Sequence, residues 1–154
     1  MTWYHDLALK KLDGSPLGDE LADKVLLVVN VASYCGFTPQ YEGLVALHHE
    51  LAKDFAVVGV PCNQFGAQEP GSADDIATFC ATHYNVDFPL LAKQDVNGAE
   101  RSPLYRHLIG DGPDIRWNFE KFVVDRAGRV RARFGSRTRP EDAVLRTAVV
   151  DALG

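Results

Sequence analysis

At 154 residues with 46% hydrophobic content and no break in pattern, the chain fits one domain over residues 1–154, large enough to bury its own core. A net charge of -5, with basic residues scattered outside one segment, argues against a nucleic-acid partner. The amino terminus has no basic start followed by an apolar stretch, so neither a signal peptide nor a membrane span is read there, and a cytoplasmic protein with no stable membrane association is expected.

Taken in order, Leu7 to Leu12, then Asp13-Gly14, then Ser15 to Leu17 predict a small hairpin, because Asp-Gly supplies the positive backbone angles of a tight turn. Val25 to Val31 is a continuous apolar run, the pattern of a strand covered on both faces and placed mid-sheet. At its end stands Cys35, just before a helix announced by Thr38 as N-cap and Pro39 at the first helical position. Free N–H groups and the positive dipole end favour thiolate over thiol there, which argues against an inert buried cysteine. Tyr41, Leu44, Val45, His48, Leu51 and Ala52 give the helix its buried stripe, to about Lys53.

Phe55 to Val60 predicts a second buried strand, parallel to the first. The segment Pro61 to Gly71 is too long for a simple connection and too polar for core, which marks a functional loop. Ser72 and Asp75 form a capping box for a helix to about Tyr84 with Ile76, Phe79, Cys80 and His83 on one stripe, so Cys80 faces the core. Phe88 to Leu91 reads as a short strand and Ser102 to Ile109 as a short helix. Gly110-Asp111-Gly112-Pro113 reads as a surface turn. Glu120 to Asp125 and Arg129 to Phe134 form an antiparallel hairpin through Arg126-Ala127-Gly128. The arginines between Arg126 and Arg139 read as the wet face of that hairpin, and as a basic patch that can attract an acidic partner. Thr138 and Glu141 form a capping box for a closing helix with Leu145, Ala148, Val149 and Ala152 inward. This order predicts an α/β, thioredoxin-like fold, a mixed central sheet flanked by helices with an N-terminal β-hairpin.

Three cysteines, Cys35, Cys62 and Cys80, lack the density of a disulfide scaffold and read as thiols with redox work. Thr38 stands where a thioredoxin-type exchanger carries its second cysteine, so exchange between near neighbours is excluded, and the Pro and Thr that precede a peroxiredoxin cysteine are missing before Cys35. Three blocks in order, Asn30-Val31-Ala32-Ser33-Tyr34-Cys35-Gly36, Pro61-Cys62-Asn63-Gln64-Phe65-Gly66-Ala67-Gln68-Glu69-Pro70-Gly71 and Trp117-Asn118-Phe119, resemble the glutathione peroxidase family over nearly the whole chain.

The resemblance implies a cysteine version of an enzyme some members build with selenocysteine. Cys35 would be the peroxidatic residue, and Gln68, Trp117 and Asn118 would complete the catalytic tetrad. It implies a thiol peroxidase that reduces hydrogen peroxide and organic or lipid hydroperoxides to water and alcohols through a Cys35 sulfenic acid. An indole N–H and two carboxamides suit such a site, since they stabilise a thiolate and a developing oxyanion without adding a titrating charge. Cys80 is the candidate resolving thiol, although plant-type members place theirs level with Ala81, and its disulfide with Cys35 requires local unwinding of the helix. Cys62 reads as structural.

Only Ile109 to Arg116 separates the short helix from Trp117, where tetrameric, glutathione-preferring relatives carry a longer insertion. The resemblance therefore implies a monomer regenerated by thioredoxin, with glutathione the other reductant, and no bound cofactor. Cys80 and His83 have metal-like spacing, but no second pair completes a zinc site. The other reading is a non-enzymatic peroxide sensor and disulfide relay, which begins with the same sulfenic acid and differs in lacking turnover.

Overall fold

The computed structural model describes residues 2–154. Its centre is a four-stranded mixed sheet of order β2-β1-β3-β4. Strand β1 (Val25–Val31) pairs in parallel with β2 (Phe55–Pro61), from Val25 opposite Phe55 to Val31 opposite Pro61. Its other edge pairs antiparallel with β3 (Lys121–Val124), which pairs antiparallel with β4 (Val130–Phe134). The apolar run of β1 is thus an interior strand, every residue of it buried.

Alternation along the strands divides the core into two layers. Val25, Leu27, Val29 and Val31 face one side, where α1 (Gln40–Leu51), α2 (Ala73–Phe79) and α4 (Ala143–Leu153) contribute Tyr41, Leu44, Ile76, Leu145 and Val149. Leu26 and Val28 face the other, covered by Leu104, Tyr105, Leu108 and Ile109 of α3 (Pro103–Ile109). The mixed sheet with helices on both faces agrees with the thioredoxin-like expectation.

Several local expectations change. The N-terminal hairpin is short, one antiparallel bridge of Lys10 opposite Pro16 flanked by Lys11 N–H to the Ser15 carbonyl at 2.8 Å and Leu17 N–H to the Leu9 carbonyl at 2.9 Å, around Gly14 at φ +88°. Pro16 has no N–H to extend a ladder. The first arm also pairs with the Leu90–Leu91 segment, Lys11 opposite Leu91 and the Leu12 N–H bonding the Leu90 carbonyl at 2.9 Å. The expected strand near Phe88 is limited to two bridges, Leu90 to Gly59 and Leu91 to Lys11.

The Ser72–Asp75 capping box forms in both directions. The helix it starts holds α geometry only to Phe79 and continues as a π-turn over Cys80–Tyr84, closed by Asn85 at φ +52° with its N–H on the Cys80 carbonyl. The wider turn rotates His83 off the stripe into solvent, while Cys80 stays buried. Thr138 and Glu141 do not cap α4, which begins at Ala143 after Asp142, and Arg139 donates its N–H to the Asp142 carboxylate at 2.9 Å. Among the described residues no helix is long and apolar enough to cross a membrane.

Candidate active site

Cys35 sits in the loop where β1 gives way to α1, and hydrogen bonds within that loop fix its shape. Thr38 is not the N-cap of α1. Its hydroxyl accepts the Cys35 N–H at 3.0 Å and donates to the Ala32 carbonyl at 2.8 Å, bracing the loop across its base. The Phe37 N–H points at Cys35 Sγ, 3.3 Å away, a donor of the kind that stabilises sulfur anions. Tyr34, next to the thiol, is 67% exposed, so the surface around Cys35 is partly aromatic.

The Pro61 to Gly71 loop is stitched to this one. Tyr34 donates its N–H to the Gln68 carbonyl at 3.0 Å, and Glu69 Oε1 accepts from both the N–H and the hydroxyl of Ser33, at 3.1 and 2.6 Å. Asn63 Oδ1 accepts the Glu69 N–H at 2.9 Å. Gly66 and Ala67 take consecutive left-handed angles, φ +69° and +52°, which reverse the chain before Gln68. A Cβ on Gly66 would stand 3.1 Å from Cη2 of Trp117, so the glycine also lets the indole close over the loop.

Trp117 and Asn118 arrive from the turn before β3. That turn hangs on Asn30, a polar residue buried within the apolar β1. Asn30 Nδ2 donates to the Trp117 carbonyl at 3.0 Å, Oδ1 accepts the Glu120 N–H at 3.1 Å, and its backbone carbonyl accepts the Phe119 N–H at 2.7 Å. Phe119 is held at φ +64°, a strained angle for a bulky residue. Its carbonyl accepts from the buried Lys121 Nζ at 2.6 Å, and Lys121 also reaches the Ser136 carbonyl at 3.4 Å. Ser136 returns its hydroxyl to the Asn118 carbonyl at 2.5 Å.

Gln68 and Asn118 meet directly: Asn118 Nδ2 donates to Gln68 Oε1 at 2.9 Å. With its oxygen occupied, the half-exposed Gln68 presents its Nε2 donors outward. Trp117 packs against Phe65 at 5.9 Å between ring centres and touches both core layers. Among the described residues, none of Gln68, Trp117 and Asn118 hydrogen-bonds Cys35 Sγ in this structure. Asn118 is committed to Gln68, so its part is to orient that amide.

The other two thiols lie on opposite sides of the sheet. Cys80 shares the apolar layer of Cys35, while Cys62 follows Val58 and Val60 onto the other layer. Burial pushes the Cys80 thiol up, against the opposing hydrogen bond to the Tyr41 hydroxyl at 3.5 Å, and burial does the same to Cys62. All three cysteines are free. Burial also raises the Glu69 carboxyl, whose Oε2 has no partner among the described residues. No cluster that could hold a metal ion is found among the described residues. Sequence reasoning gave no role to Asn30, Glu69 or Lys121. For Asn30 the readable signal was a polar residue in a run that is otherwise apolar.

The sequence profile described as "Glutathione peroxidase" matches residues 4–109. A Synechocystis sp. protein named Hydroperoxy fatty acid reductase Gpx2 is 59% identical over 149 residues, covering 96% of this chain and 97% of its own. The Schizosaccharomyces pombe protein named Glutathione peroxidase-like peroxiredoxin gpx1 is 49% identical over 148 residues, 92% and 94% of the two chains. Among solved structures, the apo form of a protein called Trgpx superposes with a TM-score of 0.77 at 34% identity, covering 99% of this chain and 95% of that one.

Asn30→Ala leaves the Trp117 carbonyl and the Glu120 N–H without their buried partner, so urea unfolding should show a loss of about 2 to 5 kcal/mol. A stability unchanged within error would mean that the turn does not depend on that amide. Lys121 gives a pH signature. Burial pushes its ammonium from 10.5 down to about 7, against nearby Asp142, Glu120 and Glu141. Below pH 7 both states hold the proton and the burial cost is fully present. Above it the folded lysine releases its proton first, so stability should rise with pH. Relative to Lys121→Met, the unmodified protein should gain up to about 2 kcal/mol between pH 7 and 8.5 in urea titrations, and parallel pH curves would refute the assignment.

Proposed function

Because the chain belongs to the glutathione peroxidase family and is a peroxidase of thioredoxin-like fold, we propose that Cys35 is the residue its peroxide oxidises, with Gln68, Trp117 and Asn118 as its tetrad. The observation that carries this reading is the Asn118 to Gln68 hydrogen bond, which turns the Gln68 amide donors outward in the loop bonded to Tyr34 beside Cys35. The Cys35 thiolate attacks one oxygen of a hydroperoxide. A sulfur–oxygen bond forms as the O–O bond breaks, and the departing oxygen leaves as water or an alcohol after taking a proton from solvent. The Phe37 N–H supports the thiolate, and the Gln68 amide and Trp117 indole stabilise the developing oxyanion.

The product is a sulfenic acid on Cys35. Cys80 resolves it: its sulfur attacks Cys35 Sγ, hydroxide leaves as water, and a disulfide forms. The shared apolar layer supports Cys80 over Cys62. A buried, protonated thiol has to be opened before it can attack, and the π-turn that begins at Cys80 offers a place to open. A dithiol then supplies the two electrons that restore both thiols. We read thioredoxin as that reductant and the monomer as the working form, supported by the short connection between α3 and Trp117. Hydrogen peroxide and organic or lipid hydroperoxides are the substrates, the last supported by the name of the Synechocystis relative.

Cys35→Ser should abolish peroxide-dependent NADPH consumption with thioredoxin and its reductase, while circular dichroism stays native. Gln68→Ala and Trp117→Phe should each slow the first oxidation roughly tenfold to a thousandfold, as expected for donors worth about 1.4 to 4 kcal/mol in the transition state, and Asn118→Ala should slow it by releasing the Gln68 amide. Full turnover in Cys35→Ser would remove the mechanism, and wild-type oxidation rates in the other three variants would make those residues structural. A single stoichiometric oxidation of the unmodified protein would identify a relay instead.

Resolution by Cys80 has its own test. Mass spectrometry of peroxide-treated protein should find a peptide joining Cys35 to Cys80, and Cys80→Ser should consume one equivalent of peroxide and then stop with thioredoxin. A Cys35 to Cys62 link, or full thioredoxin-dependent activity in Cys80→Ser, would contradict the role.

A further inference from the structure

Beside Trp117 lies a cavity of about 380 Å³ that the steps above do not use. Phe37 and Trp117 give it apolar walls, and Arg116 and Arg137 line it together with Glu120 and Ser136. Phe37 is also the residue whose N–H meets Cys35 Sγ, so one wall of the cavity belongs to the residue that contacts the reacting sulfur. The one carboxylate in the lining is already committed: Glu120 Oε1 accepts the Arg116 N–H and Oε2 pairs with Arg133.

The two lining guanidinium groups are not committed. Arg101, Arg131, Arg133, Arg139 and Arg146 pair with carboxylates, and Arg106 and Arg126 bond backbone carbonyls. Arg116, Arg129 and Arg137 have neither kind of partner among the described residues, and two of these three line this cavity. In a chain with net charge -5, carboxylates are plentiful, so leaving both cations free is not a matter of supply. A guanidinium fork matches a carboxylate, and apolar walls suit hydrocarbon.

We infer that Arg116 and Arg137 bind the carboxylate of a fatty acid hydroperoxide whose chain lies along Phe37 and Trp117, selecting free acids over their esters. This rests on the reading of Cys35 as the peroxidatic residue and adds the group that recognises the end of the substrate remote from the peroxide. It also gives Arg137, one of the arginines between Arg126 and Arg139, a task beyond a wet strand face. Glutathione carries carboxylates too and is the competing source of the same chemistry.

The experiment compares linoleic acid hydroperoxide with its methyl ester in steady-state turnover by the full chain, Arg116→Gln, Arg137→Gln and the double variant. The unmodified protein should have the higher kcat/KM for the acid, and the acid-to-ester ratio should fall at least tenfold in the double variant, through KM. The preference should also shrink as salt is raised. An acid-to-ester ratio that stays constant across the variants would overturn the subsite. So would a change in the double variant confined to the KM for glutathione. Hydrogen peroxide turnover by the unmodified protein tests the peroxidase reading separately. The subsite is also read without chemistry, by calorimetric binding of the matching hydroxy fatty acid and its methyl ester to Cys35→Ser. Acid binding should weaken at least tenfold when both arginines are replaced in that background, and equal binding of acid and ester would refute the proposal.

Discussion

One buried amide, that of Asn30, carries the junction on which the candidate site depends. It lies in the interior strand of the sheet, where an unpaired polar group is costly, and it meets that cost by bonding the turn that delivers Trp117 and Asn118. The turn needs such restraint because Phe119 sits at a left-handed angle that a bulky side chain does not hold without support. Lys121 and Ser136 grip the same turn from the far side. The orientation of an indole and a carboxamide is therefore set by the sheet rather than by a mobile loop, which is the arrangement an oxyanion-stabilising site requires.

A second constraint is the alternation of the strands. Val31 and Cys35 follow one layer, and Val60 and Cys62 the other, so two cysteines that flank neighbouring parallel strand ends are separated by the sheet itself. Cys80 reaches the Cys35 layer from α2 through its π extension. Its protonated resting state and its placement on the least regular part of a helix belong together. In the proposed mechanism a buried resolving thiol gives the sulfenic acid time to form, and local opening of the helix lets that thiol arrive. The aromatic group of Tyr34, Phe79 and His83, with ring centres 6.2 and 4.5 Å apart, lies over the same region and would move with it.

Charge is distributed with the same economy. Most arginines are tied to acids or carbonyls, and burial works against the charged forms of Glu69 and Lys121, pushing the carboxyl up and bringing the ammonium down to about 7. Two of the three arginines left free stand beside the apolar wall of Trp117. Long-range selection of an anionic substrate there does not disturb the neutral donors at the sulfur.

The sequence by itself determined what depends on neighbours along the chain: the two parallel strands from their continuous apolar runs, the β3–β4 hairpin from its turn, the Ser72–Asp75 capping box, and Cys35 at a strand end before a helix. The blocks around Cys35, Gln68 and Trp117 also carried the family. What failed was one local pattern overruled by another local arrangement. Thr38 had the form of an N-cap but is spent bracing the cysteine loop, Thr138 and Glu141 had the form of a capping box but the helix waits for Ala143, and the stripe through His83 broke where the helix widened. Only the tertiary structure decided the roles of Asn30, Glu69 and Lys121, because a buried polar side chain is explained by the partner it meets, and those partners lie on other elements. It alone decided which thiol shares a layer with Cys35, since a one-residue step along a strand places a side chain on the opposite face.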